Sequence, residues 1–286
     1  MTEIKLLKKK EISPDEIKAN IYDFVNLIVE IHGINRMDID RIQEKLTEIL
    51  PAEEYSRAED SFTVEEINNY GDRKAISSAA RRRYLETESV VRYYSKDNTE
   101  IITLSRLFIS IGLTYEVAHN LKDNIELLGR IIELFDEQEY FEVEKIYLEK
   151  RDSIYCSSLF RLYQCFDKKM FADVGYLFER DKKPIDTGIV EVNNRFAYDD
   201  FEISIYKQVL KGYLPGENEE IYEGKIHTII SSDVYESNVD VRETFLKLNQ
   251  VSFEVFMCHI TDSFARDLVI GKSDKVKKGL NCNGEV

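Results

Sequence analysis

Apolar residues recur at two different periods along this chain, and the switches between them mark out most of its elements. The segment 240–270 carries Phe253, Phe256, Ile260, Phe264 and Leu268 at steps of three and four, one stripe of a 3.6-residue helix. A second stripe, Val117, Leu121, Ile125, Leu128, Ile132 and Phe135, predicts a central helix capped by Thr114. A third, Ile39, Ile42, Leu46 and Ile49, predicts a helix from a cap at Asp38 to a stop at Pro51.

Between these stripes the pattern turns β-like. Ile21 to Ile31 fits both periods, and its Val and Ile content leans toward strand. Val90–Tyr94 and Ile101–Ile111 read as the two arms of a hairpin about Ser95-Lys96-Asp97-Asn98. Glu142–Leu148 alternates as a strand does. Ser158–Phe166, Val174–Phe178, Val190–Val192, Phe201–Leu210 and Ile221–Val234 are further β-like runs, the last ending at Asp233-Val234-Tyr235. Ala52–Arg83 is polar and aperiodic, apart from a short helical candidate at Val64–Tyr70, and reads as a long insertion.

Strand, helix, hairpin, helix, strand is the βαββαβ order of a ferredoxin-like unit. The prediction is therefore an α+β protein. A ferredoxin-like lobe spans 1–155, with the polar insertion at 52–83. A second antiparallel β-rich lobe spans 156–271 and is closed by a long helix over 240–270, and residues 272–286 form a polar tail.

Charge narrows the function classes. The 286 residues hold 39 Lys plus Arg against 54 Asp plus Glu, a formal charge of −15. That balance argues against a general nucleic-acid binder and fits a basic protein partner or plain solubility. Cys156, Cys165, Cys258 and Cys282 suit neither a zinc cage nor a disulfide framework. The first three sit among apolar residues, as buried thiols of a reducing compartment do. No apolar run approaches the ~18 residues of a membrane span, and Met1–Lys10 has no apolar signal core, so the cytoplasm is expected.

Several blocks carry a resemblance. They are Ile49-Leu50-Pro51, the hairpin leading to Thr114-Tyr115, Lys145 to Asp152, Ser232-Asp233-Val234-Tyr235, and Phe256 with Ile260-Thr261-Asp262. Together the chain resembles, over most of its length, a sporadically distributed bacterial family of hypothetical proteins. Where that family tends to have Arg-Ile-Gly-Leu-Arg-Tyr-Ile-Asn, this chain departs at Tyr147, Glu149, Lys150 and Asp152. The resemblance implies an α+β fold and no substrate. Its patchy occurrence implies a setting such as phage defence or counter-defence.

Sharp catalytic motifs are few. G-x-G-x-x-G, a Walker loop and G-x-S-x-G are absent. His32, His119, His227 and His259 lie far apart, without metal-type spacing, and read as structural or surface groups. Glu223-Gly224-Lys225 with Asp200, or Asp199, upstream fits an Asp…Glu-x-Lys nuclease, whose carboxylates hold Mg²⁺ while the lysine activates water. Glu16-Ile17-Lys18 fits the same short pattern, so its specificity is low. Outside that reading no cofactor is expected. Arg81-Arg82-Arg83 is either a nucleic-acid patch or a solvated helix face balanced by Glu86 and Glu88.

Aromatic residues carry the remaining alternatives. Tyr93, Tyr94, Phe108 and Tyr147 fit either an RNA-stacking platform on a ferredoxin-like sheet or the buried aromatics of a hairpin. Phe160, Tyr163 and Phe166 belong to an aromatic-rich stretch that suits either core or interface. Val251, Val255, Met257 and Cys258 flank the terminal stripe, so that helix is apolar on most sides and is buried in a core or an oligomer. The reading that results is a non-enzymatic cytoplasmic interaction protein, acting in a complex or as a homo-oligomer. A metal-dependent nuclease and a ferredoxin-like RNA-binding protein are its alternatives.

Overall fold

Strand β1 (Tyr22–His32) alternates Val25, Leu27, Val29 and Ile31, all buried, with half-buried Phe24, Asn26, Ile28 and Glu30. This period-two pattern gives the strand one apolar face and one face that mixes apolar and polar residues. The computed structural model describes residues 12–17, 22–63, 87–114, 121–135, 140–167, 189–198, 201–213, 220–234 and 240–271. Among these residues nine strands form one sheet. The other strands are β2 (Tyr55–Thr63), β3 (Thr87–Ser95), β4 (Glu100–Leu104), β5 (Phe108–Thr114), β6 (Glu142–Cys156), β7 (Ile189–Tyr198), β8 (Phe201–Tyr213) and β9 (Glu220–Asp233). Their order across the sheet is β2-β3-β4-β5-β1-β6-β9-β8-β7, and every neighbouring pair is antiparallel.

The described helices are α1 (Arg36–Arg41), α2 (Gln43–Ile49), α3 (Leu121–Glu133), α4 (Leu159–Cys165), α5 (Val241–His259) and α6 (Asp262–Val269). The fold is α+β, and the antiparallel sheet dominates it. Register puts Leu27 beside Ile111 and Leu148, then Leu148 beside Ile230 and Ile230 beside Ile203, so one face is apolar across five strands. Ile125, Leu128 and Ile132 of α3, Leu162 of α4, and Phe245, Leu248 and Phe253 of α5 join the same buried cluster. Each such side chain contributes about 1.5–3 kcal/mol by leaving water. The boundary expected near 155–156 falls at the end of β6, which pairs with β1 on one side and β9 on the other. Strands from both sides of that boundary share one sheet and one core.

Several elements differ from the expectation. The first helix is capped by Asn35, whose Oδ1 accepts from the Met37 N–H at 2.8 Å. Asp38 instead reaches back to the Asn35 N–H at 2.9 Å, the reciprocal half of a capping box. The long hairpin arm 101–111 is two strands, β4 and β5. Ser105 folds the chain between them, its Oγ accepting from the N–H groups of Leu107 at 3.1 Å and Phe108 at 2.9 Å. The polar stretch 52–83 contains β2, and its helical candidate at 64–70 lies outside the described residues. Thr114 is the last residue of β5, paired with Phe24, and the start of the helix it is expected to cap lies outside the described residues.

Ser158–Phe166 is helix rather than strand. Ser158 caps it by accepting from the Arg161 N–H, and Leu162 and Phe166, four apart, face the core. The terminal helix is broken. Ile260 is extended and bridges Phe166, and Thr261 restarts the chain as the cap of α6. The stripe from Phe253 to Leu268 is thus shared between two helices, although all five of its residues are buried. Cys156 is buried, Cys165 is half-buried, and Cys258 is exposed, contrary to the expectation of a buried thiol there. Among the described residues no helix is long and apolar enough to cross a membrane.

Candidate functional site

The second face of the sheet is polar along β6, β9 and β8. Alternation on β6 turns Lys145, Tyr147, Glu149, Arg151, Ser153 and Tyr155 to this side, opposite Ile146, Leu148 and Ile154. Register then sets Tyr155 beside Glu223, Ser153 beside Lys225, Arg151 beside His227 and Lys145 beside Asp233. On β8, Glu202, Tyr206 and Gln208 share the face through their pairing with Ser231, His227 and Lys225.

These groups are joined in ion pairs and hydrogen bonds. Lys145 Nζ lies 2.8 Å from Asp233 Oδ1 and 3.2 Å from Glu202 Oε2. Burial works to lower its pKa, but those two carboxylates hold it above the usual lysine value. The Tyr147 hydroxyl donates to Glu30 Oε2 at 2.9 Å. Burial first, and then the Glu30 charge, push that phenol well above its ordinary range. Tyr155 is raised as well, by burial and by Asp23 and Glu223.

At the centre, His227 Nε2 stands 2.8 Å from Glu149 Oε1, and their side chains are 17% and 3% exposed. The Tyr206 ring lies 5.5 Å from the His227 ring. Arg151 lies over Phe24, with 5.9 Å from its guanidinium carbon to the ring centre. A positioned imidazole held by a buried carboxylate is an arrangement able to move protons or donate to an anion.

The residues singled out for chemistry fall unevenly on this frame. Glu223 and Lys225 share the polar face, and Lys225 Nζ bonds Glu223 Oε1 at 3.1 Å. Asp200 lies outside the described residues, as do Arg81, Arg82 and Arg83. Gly224 between Glu223 and Lys225 lies inside β9 rather than in a turn. It points to the apolar face, where an added Cβ would overlap the Phe166 ring and sit 2.9 Å from Leu162 Cδ1. Of the proposed stacking residues, Tyr93 and Tyr94 are consecutive on β3 and face opposite sides of the sheet. Tyr93 is buried in the core, while Tyr94 lies on the polar face with Phe108 and Tyr147. Among the described residues there is no group of three or more His, Cys, Asp or Glu placed to hold a metal ion.

Glu149 and His227 were not legible as a pair, because they are 78 residues apart and only the β6–β9 register joins them. The same register sets Arg151 beside His227.

No family model matches this chain, and no curated protein matches it. The solved structures with which it was compared include one titled "Structure of S. pombe Pct1 RNA triphosphatase", at 7% identity over 91% of this chain and 85% of that chain. Its TM-score of 0.10 is far below that of a shared fold, and nothing is carried over from it.

Proposed function

We propose that this chain is a non-enzymatic interaction protein of the cytoplasm that works through self-association or a protein complex. The observation that carries the reading is Phe160, an aromatic side chain left 72% exposed on α4 while Phe166, six residues on, is buried. Isolated exposed apolar residues are ordinary on protein surfaces. A large aromatic on a helix otherwise anchored in the core has the chemistry of an interface anchor. Ile270, 48% exposed, follows α6, a helix that packs against α4. The polar face is consistent with this reading, since its lysine and carboxylate groups bond one another.

For the finer architecture, the reading we favour is a ferredoxin-like N-terminal unit. It is supported by the antiparallel order β6-β1-β5-β4, with α1 and α2 following β1 and α3 between β5 and β6. Under this reading β2 and β3 are an elaboration of that unit. The setting in phage defence or counter-defence rests on the family resemblance alone.

The test is the Phe160→Asp variant of the full chain, studied by sedimentation and by pull-down at native expression level. Loss of an assembly or of a specific partner, with the fold unchanged, supports the reading. A wild-type chain that stays monomeric and recovers no specific partner refutes it.

A further inference from the structure

Strand β2 is one end of the sheet, and no described residue pairs with its outer side. It runs nine residues in unbroken register with β3, without the proline, lysine or bulge that commonly protects an edge. Ser56, Arg57, Ala58, Glu59 and Asp60 are all exposed. The Lys96 N–H donates to the Glu54 carbonyl at 3.0 Å, so the main chain of Glu54 faces β3. Alternation then turns the main chain of Ser56, Ala58 and Asp60 toward β3 as well. The N–H and C=O groups of Arg57 and Glu59 face outward.

We propose that β2 pairs antiparallel with β2 of a second copy of this chain, about a two-fold axis at Ala58, so that two sheets become one. Main-chain hydrogen bonds form only in registers that set outward residues opposite outward residues. Of these, the register centred on Ala58 places Arg57 of each copy opposite Glu59 of the other. The two flanking registers centre on Arg57 or on Glu59 and set like charges face to face. Ala58 meets its own copy at the axis, where a small side chain suits the close approach of a non-hydrogen-bonded pair. On the face that carries Ala58, Ser56 falls opposite Asp60, a hydroxyl donor against a carboxylate. Within one copy Arg57 and Arg36 each hold Glu59 Oε1 at 2.9 Å, which fixes the carboxylate beside the edge with its side chain 56% exposed. The strand thus supplies both charges in the order that antiparallel symmetry requires. The pairing goes beyond the Phe160 reading and does not rest on it, because α4 lies over β6 and β9 while β3, β4, β5 and β1 separate β2 from β6. An assembly made through Phe160 is built from this dimer.

The experiment is sedimentation velocity of the full chain across concentration, for wild type, Arg57→Glu, Glu59→Arg and an equal mixture of the two variants. The expected wild-type species is a dimer or an assembly of dimers. Each single variant sets like charges opposite one another twice, which weakens the dimer by about tenfold or more. Mixing the variants restores it, because each presents the charge the other needs, and that recovery shows that both chains are folded. Hydrogen exchange gives an independent readout. The Arg57 and Glu59 amides are protected in the wild type and exchange fast in Arg57→Glu. A monomeric wild type, association undiminished in both single variants, or a mixture no stronger than its components each overturns the proposal. Phe160→Asp takes a larger assembly down to the dimer, and an unchanged mass there counts against the Phe160 surface alone.

Discussion

Gly224→Ala places one methyl group at the tightest contact between sheet and helix. The new Cβ would overlap the Phe166 ring edge, with Leu162 Cδ1 at 2.9 Å and Phe166 Cδ2 at 3.1 Å. Neither neighbour is free to swing away. Both are buried, and the Phe166 N–H donates to the Leu162 carbonyl at 3.1 Å. The chain around Phe166 is tied to the break between α5 and α6, through Asp167 N–H to the His259 carbonyl at 2.8 Å and Thr261 N–H to the Cys165 carbonyl at 2.9 Å. Admitting the methyl therefore means moving α4 away from β9. Overpacking of this kind costs about 1–3 kcal/mol. Removing a strand glycine returns about 0.5–1 kcal/mol of backbone entropy. The net expectation is a loss of about 1–2 kcal/mol, read as a lower urea midpoint at unchanged m-value. Phe166→Leu in the same chain makes room at the ring edge, so the double variant is more stable than the sum of the two single changes predicts. A neutral or stabilising Gly224→Ala would show that α4 does not approach β9 so closely.

Three further substitutions test other parts of the fold. Lys150 is buried on the apolar face with its Nζ on Asn249 Oδ1, and burial pulls its pKa below the ordinary lysine value although the Asp152 charge opposes this. Between the lowered and the ordinary value the unfolded chain holds a proton that the folded chain has released, so this group makes stability rise with pH across that alkaline window. Urea midpoints measured up that range should climb more steeply in wild type than in Lys150→Met, and parallel slopes would contradict the assignment. Arg242 clamps α5 to α3 through Glu126 at 2.8 Å and Glu133 at 2.6 Å. Because both carboxylates are more than half exposed, Arg242→Ala should cost only about 0.2–1 kcal/mol and lose its effect in high salt. Asn35→Ala removes the cap of α1 and should cost about 1 kcal/mol by thermal or urea unfolding, whereas an unaffected midpoint would mean the cap is dispensable.

Legibility in the sequence followed the range of the interactions involved. The α3 stripe stood out because Leu121, Ile125, Leu128 and Ile132 all face one core, and local spacing reports that directly. The shared face of Glu223 and Lys225 is likewise a two-residue statement about a strand. The short run 158–166 misled because its aromatic and apolar residues fit either period, although Ser158 as cap and the Leu162–Phe166 spacing of four were available signals. Asp38 reads as a cap because acidic residues suit both the cap and the third position of a helix, and Asn35 three residues earlier decides between them. The Glu149–His227 contact and the close approach at Gly224 depend on strand register and helix docking across tens of residues, which no local pattern encodes.

The claim that the chain acts through protein association is tested most directly by sedimentation equilibrium of the full chain and its Phe160→Asp variant, joined to a native-level pull-down with each. The account predicts a wild-type assembly or one specific recovered partner, lost in the variant while its circular dichroism and urea midpoint stay unchanged. A monomeric wild type without a specific partner, or an association that Phe160→Asp leaves intact, would contradict it.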